Sequence, residues 1–292
     1  MTLVTIFTPT FNRAHVLKRC YLSILEQHRD DIEWLIIDDG STDDTADIVK
    51  GFQNENKLKI KYIYQDNSGK QAAWNRAVEN ASGDYFIGLD SDDALVADSI
   101  NKLLLLSHVF DDKEIIGIRA ISISPNALIV NNGYLSNEDK KNSWLDEFRS
   151  GIRGERIDFF KTELLLKYLY PVVSGVNFIP EIWFYSQISK EYYFYYSSTP
   201  VRVFFDDEQD NRLSKSSIKK YAVGHYISRK ALLENMPLKI WLSRPLDFVK
   251  SVLRINQALA MMDAEYIDHN KSSLLVRVVT LPGVIIRKIK RK

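Results

Sequence analysis

Residues 32–49 read IEWLIIDDGSTDDTADIV. The first seven, IEWLIID, are rich in β-branched and aromatic side chains and predict a buried strand. Asp38 and Asp39 close it, Gly40 permits a tight turn, and Ser41 or Thr42 can cap a helix over 43–54. Asp43 and Asp44 then suit the positive end of that helix. One strand has run through a polar turn into one helix, which is half of a βαβ unit.

The same order recurs on both sides. LVTIFT precedes a helix whose apolar face is Val16, Leu17, Cys20, Tyr21, Ile24 and Leu25. KIKYIY precedes a helix over 70–81, and DYFIGLD precedes one from Asp98 to Val109. Strands alternating with helices predict an α/β fold built on a doubly wound, mostly parallel, Rossmann-like sheet. Such sheets bind ligands beyond the carboxyl ends of their strands. All four polar clusters fall at such ends: TPTFN, DDGSTDD, QDNSGK and DSDD.

Beyond residue 115 the pattern is less regular. IIGIRAISI and ALIV read as strands, 160–168 and 181–190 as helices, and 206–217 as a polar mobile loop. Residues 218–262 read as helical, with breaks at Pro237 and Pro245. The expected organisation is a domain over 1–215, divided at 110, and a helical C-terminal extension over 216–292. The crowded Tyr and Phe of 159–205, YYFYY at 192–196 included, read as mostly core.

With 45% hydrophobic and 26% charged residues in 292, the chain is an ordinary globular protein and not a disordered one. Its net charge of +1 conceals an asymmetry. Seven of the Lys and Arg lie in 271–292 without an acid, which leaves the remainder at about −6. An acidic body with a basic tail argues against a nucleic-acid binder. The single Cys20 excludes an internal disulfide and fits a reducing cytosol. The start of the chain lacks the basic and apolar regions of a secretory signal, and no apolar run is long enough to span a bilayer.

GLDSDDAL, residues 88–95, sets Asp90, Asp92 and Asp93 within four positions at a strand end. Unpaired, these carboxylates would repel one another and resist desolvation, so a cation is expected among them. Oxygen ligands without nearby His or Cys favour Mg²⁺ or Mn²⁺, which substrate phosphates would complete. Gly69 and Lys70 fall where a helix begins, an arrangement suited to a diphosphate. Asp38 or Asp39 could accept an N–H from a nucleobase. Pro9, unable to continue a central ladder, predicts that the first strand ends there in a turn.

In this order the four motifs resemble those of the inverting glycosyltransferases of family 2, which have a GT-A fold. TPTFNR is similar to P-T-[YF]-N-R and IIDDGSTDDT to D-D-G-S-x-D-x-T. NSGKQAAWNRA resembles N-x-G-x-x-x-A-x-N, and GDYFIGLDSDD resembles G-x-Y-[IF]-x-x-L-D-x-D-D. The resemblance is strong over residues 3–110 and looser to about 215. It implies that Pro9, Thr10, Phe11 and Asn12 line a nucleotide pocket, and that Asp39 holds the base with Asp38 nearby. It implies that Asp90 lies by the ribose and donor sugar, and that Asp92 is the main metal contact with Asp93 close by. Many members carry Arg where this chain has Trp74, so Lys70 becomes the candidate for the diphosphate. Related polysaccharide-synthesis enzymes have a segment like GVNFIPEIWFYSQIS, residues 175–189. By that resemblance Glu181 is the general base, although Pro180 and Glu181 are also ordinary helix-start residues. Asp158, Asp206 and Asp207 are reserves.

The expected activity is metal-dependent transfer from a nucleotide sugar, UDP being the commonest nucleotide among similar enzymes. The acceptor would be a glycan or lipid-linked saccharide in bacterial surface polysaccharide synthesis. A non-catalytic GT-A-like module acting with a partner enzyme is the alternative. A phosphotransfer receiver or phosphatase would need an aspartate nucleophile and partner spacings that DSDD and Lys70 do not supply. A nucleotidyltransferase would need a Gly-rich basic loop that TPTFNRAH lacks. Residues 272–292, apolar beside basic, suit peripheral contact with an anionic cytoplasmic membrane face.

Overall fold

The computed structural model describes residues 2–126, 139–151, 154–206, 218–262 and 272–290, the last four by backbone alone. The expected strand ALIV and residues 207–217 of the polar loop lie outside the described residues. The chain divides into two compact units: residues 1–169 with 191–209, and residues 170–190 with 210–292.

Among the described residues the first unit holds a nine-stranded sheet. Its N-terminal half is β1 (Val4–Thr10), α1 (Ala14–Leu25), β2 (Ile32–Asp38), α2 (Thr45–Asn54), β3 (Lys59–Tyr64), α3 (Lys70–Asn80) and β4 (Tyr85–Gly88). These strands are parallel in the order β3-β2-β1-β4, so β1 lies at the centre with the chain turning away from it in both directions. Helices cover both faces, as the alternation predicts. On one face Ile6, Trp34, Ile36 and Ile87 pack with Leu17, Tyr21 and Phe52 of α1 and α2. On the other, Trp74 of α3 meets Phe7, Phe86 and Phe160 edge to face, with ring centroids 5.2–6.1 Å apart.

Pro9 does not end β1. Thr10 accepts from Asp39 N–H on the β2 side, so by alternation the N–H that Pro9 lacks would face β4. Pairing with β4 stops at Phe7 and Gly88, so no ladder bond is lost and the strand continues along β2 to Thr10.

The second half of the sheet is antiparallel in part. After β5 (Ala94–Leu95) and α4 (Ser99–Leu105) come β6 (Ile115–Ile123), β7 (Lys140–Asn142), α5 (Trp144–Ser150), β8 (Arg156–Lys161), α6 (Thr162–Leu165) and, beyond the first excursion into the other unit, β9 (Tyr193–Val203). β8 lies antiparallel between β4 and β6, β9 runs parallel to β6, and β5 and β7 each pair antiparallel with β9. Two expected helices are corrected here. The one from Asp98 breaks into α4 and a 3₁₀ turn over Ser107–Asp111. The one from 160 begins at Thr162, because Phe159 and Phe160 are claimed by strands on both sides. Within YYFYY, Phe194 and Tyr196 are fully buried while Tyr193 is exposed, the two-faced alternation expected of a strand.

The second unit is helical: α7 (Ile182–Ile188), α8 (Ala222–Asn235), α9 (Leu238–Ser243), α10 (Pro245–Met261) and α11 (Leu274–Lys290). Pro237 and Pro245 break the helical run, as read from the sequence, and each stands at the start of the next helix. Pro282 interrupts α11, and one side chain repairs the damage. Asn256 of α10 accepts from Gly283 N–H at 2.6 Å and donates to the Val279 carbonyl at 2.7 Å. These are the two halves of the helical bond that Pro282 disturbs. A Cβ on Gly283 would come within 3.0 Å of the Asn256 backbone, so the close seam requires glycine there. Among the described residues no helix is long and apolar enough to cross a membrane.

Candidate active site

The loops after β1, β2, β3 and β4 share one edge of the sheet because the strands are parallel. They are joined by side chains the motifs supply. Asn12, in the left-handed region at φ 52°, donates its N–H to Ser41 Oγ at 2.8 Å. Its own Oδ1 accepts from Thr42 N–H at 2.7 Å. Neither Ser41 nor Thr42 therefore caps α2. Asp43 does that work from outside the helix, accepting from Thr45 N–H at 3.1 Å and, with its other oxygen, from Ala14 N–H at 3.0 Å. Burial alone would raise the Asp43 carboxyl, but Thr45 and Ala14 hold it below its usual value.

Asp38 and Asp39 are both buried and both employed. Asp38 accepts from Ser41 N–H at 2.8 Å and from the Tyr62 hydroxyl at 2.5 Å. Burial and that bond push the Tyr62 phenol well above its ordinary value. Asp39 accepts from Gln65 Nε2 at 2.7 Å and from the N–H groups of Ser68 and Gly69 at 2.8 Å each. It thereby shapes the loop that delivers Lys70, with Gly69 at φ 89° making the entry into α3. Thr10 is buried and pairs in register with Asp38, and Phe11 is 41% exposed.

The acid loop answers the question its sequence poses, and the cations come from the chain itself. Lys70 Nζ lies 2.8 Å from Asp90 Oδ1. Arg13 Nη1 lies 3.0 Å from Asp92 Oδ2, and Arg202 Nη1 lies 3.2 Å from Asp93 Oδ2. Arg19 donates to the Asp92 carbonyl while its guanidinium stacks 3.7 Å over the Phe205 ring. Partial desolvation would raise Asp90, but Lys70, with Arg202 and Arg13, holds it below its usual value. Asp93 goes the other way. Burial and the charges of Asp90 and Asp92 push it up to about 7, against Arg202 and the Phe205 N–H at 3.2 Å. Arg202 is held firmly charged by Asp93, Asp90 and Glu155 in spite of its own burial.

Arg13, Arg19 and Arg202 are the residues that motif reading left out of the site. Arg202 carried a signal. A charge between Val201 and Val203 in an alternating strand must find a partner if it is buried. Its guanidinium also donates to Ser122 Oγ and Glu155 Oε2, each at 2.9 Å.

Glu181 belongs to the helical unit, exposed at the start of α7, without a side-chain cap bond to that helix. Its charge adds to burial in raising the Tyr170 phenol. Of the reserves, Asp158 is buried in a two-bond pair with Arg119 at 2.7 and 3.0 Å, within a network that includes Glu147 and Tyr196. Asp206 is exposed, and Asp207 lies outside the described residues. Trp74, where an Arg is common among similar enzymes, packs in the aromatic cluster described above.

Among the described residues no three His, Cys, Asp or Glu side chains converge as a metal-binding group. The two residues expected to hold a metal differ in fit. Asp92 is 17% exposed and pairs through one oxygen with Arg13, leaving it suited to a hard cation. Asp93 is 2% exposed with both oxygens engaged, so its geometry fits Arg202 instead.

The first unit thus joins a parallel half-sheet with an acid-rich loop edge to a mixed second half. The chain belongs to glycosyl transferase family 2, whose model matches residues 5–179. It is 27% identical over 266 residues to the GalNAc(5)-diNAcBac-PP-undecaprenol beta-1,3-glucosyltransferase of Campylobacter jejuni, covering 86% of this chain and 79% of that one. It is 34% identical over 134 residues to the chondroitin synthase of Pasteurella multocida, which is 45% of this chain but only 14% of that protein. Among solved structures, S. aureus TarS 1–349 in complex with UDP-GlcNAc aligns with a TM-score of 0.61 at 16% identity, over 89% of this chain and 80% of that one. The fold is thus the GT-A fold that the motifs implied, with a helical C-terminal part.

Proposed function

We propose that this glycosyltransferase is an inverting enzyme that moves a sugar from a nucleotide sugar, UDP-linked, to a saccharide acceptor during assembly of a bacterial surface polysaccharide. The observation that carries the reading is the loop edge itself, where Lys70 and Arg13 sit on the carboxylates of Asp90 and Asp92. The name of the C. jejuni relative favours a lipid-linked acceptor, and the TarS complex favours a UDP-sugar donor.

The loop residues Pro9, Thr10, Phe11 and Asn12 take the nucleoside, with Asp38 and Asp39 at the base. Asp90 faces the ribose and the transferred sugar. Lys70 and Arg13 meet the diphosphate as its charge grows during departure, which is where fixed cations lower the barrier most. Asp92 would hold Mn²⁺ or Mg²⁺, an ion that supplies Lewis-acid stabilisation of a leaving diphosphate. Asp93 supports that loop through Arg202. Glu181 takes the proton of the acceptor hydroxyl, whose oxygen bonds to the anomeric carbon on the face opposite the departing nucleoside diphosphate, and that single displacement inverts the carbon. Residues 272–292 rest against the inner face of the cell membrane.

A general base contributes about 10²–10⁴-fold in rate. Glu181→Gln should therefore lose turnover on that scale while UDP affinity, measured by calorimetry, stays as in the wild type. Near-normal turnover would remove Glu181 from the mechanism. Asp92→Asn should weaken UDP binding in the presence of Mn²⁺ and leave metal-free binding little changed; equal loss under both conditions would remove the metal role.

A further inference from the structure

The helical unit carries an apolar surface that its own core does not use. Leu238 and Leu242 of α9, Leu246 of α10 and Leu274 of α11 are 72%, 74%, 73% and 77% exposed. On α10 the stripe continues through Val249 and Leu253, at the i, i+3, i+7 spacing of one helical face. On α11, Leu274, Val278, Leu281 and Ile285 repeat at i, i+4, i+7, i+11, all exposed.

The seam between the helices makes these stripes neighbours. Asn256 of α10 binds α11 at Val279 and Gly283. One side of that seam is the core, where Ile255, Leu259, Val276 and Thr280 are buried. Val249 lies one heptad before Asn256, and Leu275 and Ile286 flank Val279 and Gly283 on α11. All three are exposed, so they occupy the other, outward side. The apolar face therefore passes from α10 to α11 without a polar break at the junction.

Charge selects the occupant. The three helices carry seven Lys and Arg and a single acid, Asp247, which is buried and paired at 2.7 Å with Arg244, an eighth cation in the link between α9 and α10. Lys250 stands 75% exposed beside the α10 stripe. Two copies facing one another here would bring like charge together, whereas an anionic surface would be drawn in. Apolar side chains rimmed by Lys and Arg fit the boundary between headgroups and acyl chains. Residues 263–271, with Asp263, Glu265 and Asp268, lie outside the described residues.

We propose that α9, α10 and α11 together form a docking surface for an anionic lipid bilayer, in which α10 supplies apolar contacts that the C-terminal segment alone does not provide. This rests on, and enlarges, the membrane contact assigned above to residues 272–292.

Co-sedimentation of the full chain with vesicles tests it, without donor or acceptor present. The wild type should bind vesicles of equal phosphatidylcholine and phosphatidylglycerol, bind pure phosphatidylcholine weakly, and be released by salt. Leu246→Glu with Leu253→Glu, which leaves residues 272–292 intact, should weaken binding on the order of 100-fold. Lys239→Gln with Lys250→Gln should weaken binding to the mixed vesicles only. Unchanged binding by the Leu246/Leu253 variant would overturn the role of α10, and failure of the wild type to bind either vesicle would overturn the surface altogether. Dimerisation in lipid-free sedimentation that the same leucine variant abolishes would assign the face to a second copy and overturn the proposal likewise. A thermal melt and UDP calorimetry on each variant separate these outcomes from misfolding and from failure of the donor-site reading.

Discussion

The acid loop after β4 and the outer face of α9–α11 both place side chains where water-soluble proteins seldom leave them, and they resolve the difficulty in opposite ways. In the loop, every carboxylate meets a cation brought by a different element: Lys70 from the start of α3, Arg13 from the entry to α1, Arg202 from β9. The compensation is internal and graded, from the partly exposed Lys70–Asp90 pair to the buried Arg202–Asp93 pair. On the helical face, leucines remain in water and the charges stand at their margins. A buried charge must be answered within the fold because desolvation costs several kcal/mol per ion. An exposed leucine forgoes only about 1.5–3 kcal/mol, so it can persist until an outside surface covers it.

Removing one partner of the most buried pair should break this contrast most severely. Arg202→Met leaves Asp93 buried without its counter-charge, an outcome worth about 3–5 kcal/mol in comparable pairs. The loss should depend on pH, because Asp93 is pushed up to about 7 in the native state, above the ordinary 3.8. A raised carboxyl favours the protonated form in the folded chain, so stability from this group falls as pH rises from about 4 through 7. Urea unfolding of Arg202→Met should therefore show a larger deficit at pH 8 than at pH 5. Equal deficits would mean that Asp93 is not the group left stranded.

The corresponding test of the helical unit is Asn256→Leu. It orphans Gly283 N–H and the Val279 carbonyl at the α10–α11 seam, each at about 1–3 kcal/mol if buried. Hydrogen exchange should show the loss confined to α11 and its neighbours in that unit. A uniform loss over the sheet as well would contradict the division into two compact units.

A smaller effect comes from His225 on α8. Burial, then Arg254 and Arg229, push its imidazole down to about 4 from the ordinary 6.5. The native state holds it neutral, so stability from this group is intact above about 6.5 and is lost as pH falls towards 4. That slope is opposite in sign to the slope of Asp93. His225→Phe should flatten it by on the order of 1 kcal/mol, allowing for partial solvent screening. Thermal melts at pH 7.5 and 5 would reveal it; an unchanged slope would mean that His225 is not its source.

What the amino-acid order discloses follows from how local each interaction is. The β1–β4 half was legible because each strand, turn and helix is contiguous, and the polar motifs announce the strand ends. The two-residue β5 and the three-residue β7 carry no such pattern, and both exist only as partners of β9. Phe159 and Phe160 look as much like a helix start as a strand end until β4 and β6 flank them. The site divides in the same way. Asp38, Asp39, Lys70 and Asp90 are read from their motifs, whereas Arg202 reaches Asp93 across 109 positions of chain through the β5–β9 pairing. Only the oddity of an arginine between valines hinted at it.

The Lys70–Asp90 pair supplies the smallest stability effect and sharpens the comparison most. With side chains 34% and 41% exposed, it is close to a surface ion pair, worth about 0–1 kcal/mol. Lys70→Met should therefore leave the urea midpoint nearly unchanged. If the pair exists to keep an ammonium ready for a diphosphate, the same variant should bind UDP markedly more weakly yet bind uridine, which has no phosphate, as the wild type does. A loss of stability near that of Arg202→Met would make Lys70 a structural cation like its neighbour. Equal losses for UDP and uridine would place its effect on the loop rather than on the phosphates, and the graded series of ion pairs would then have no functional end.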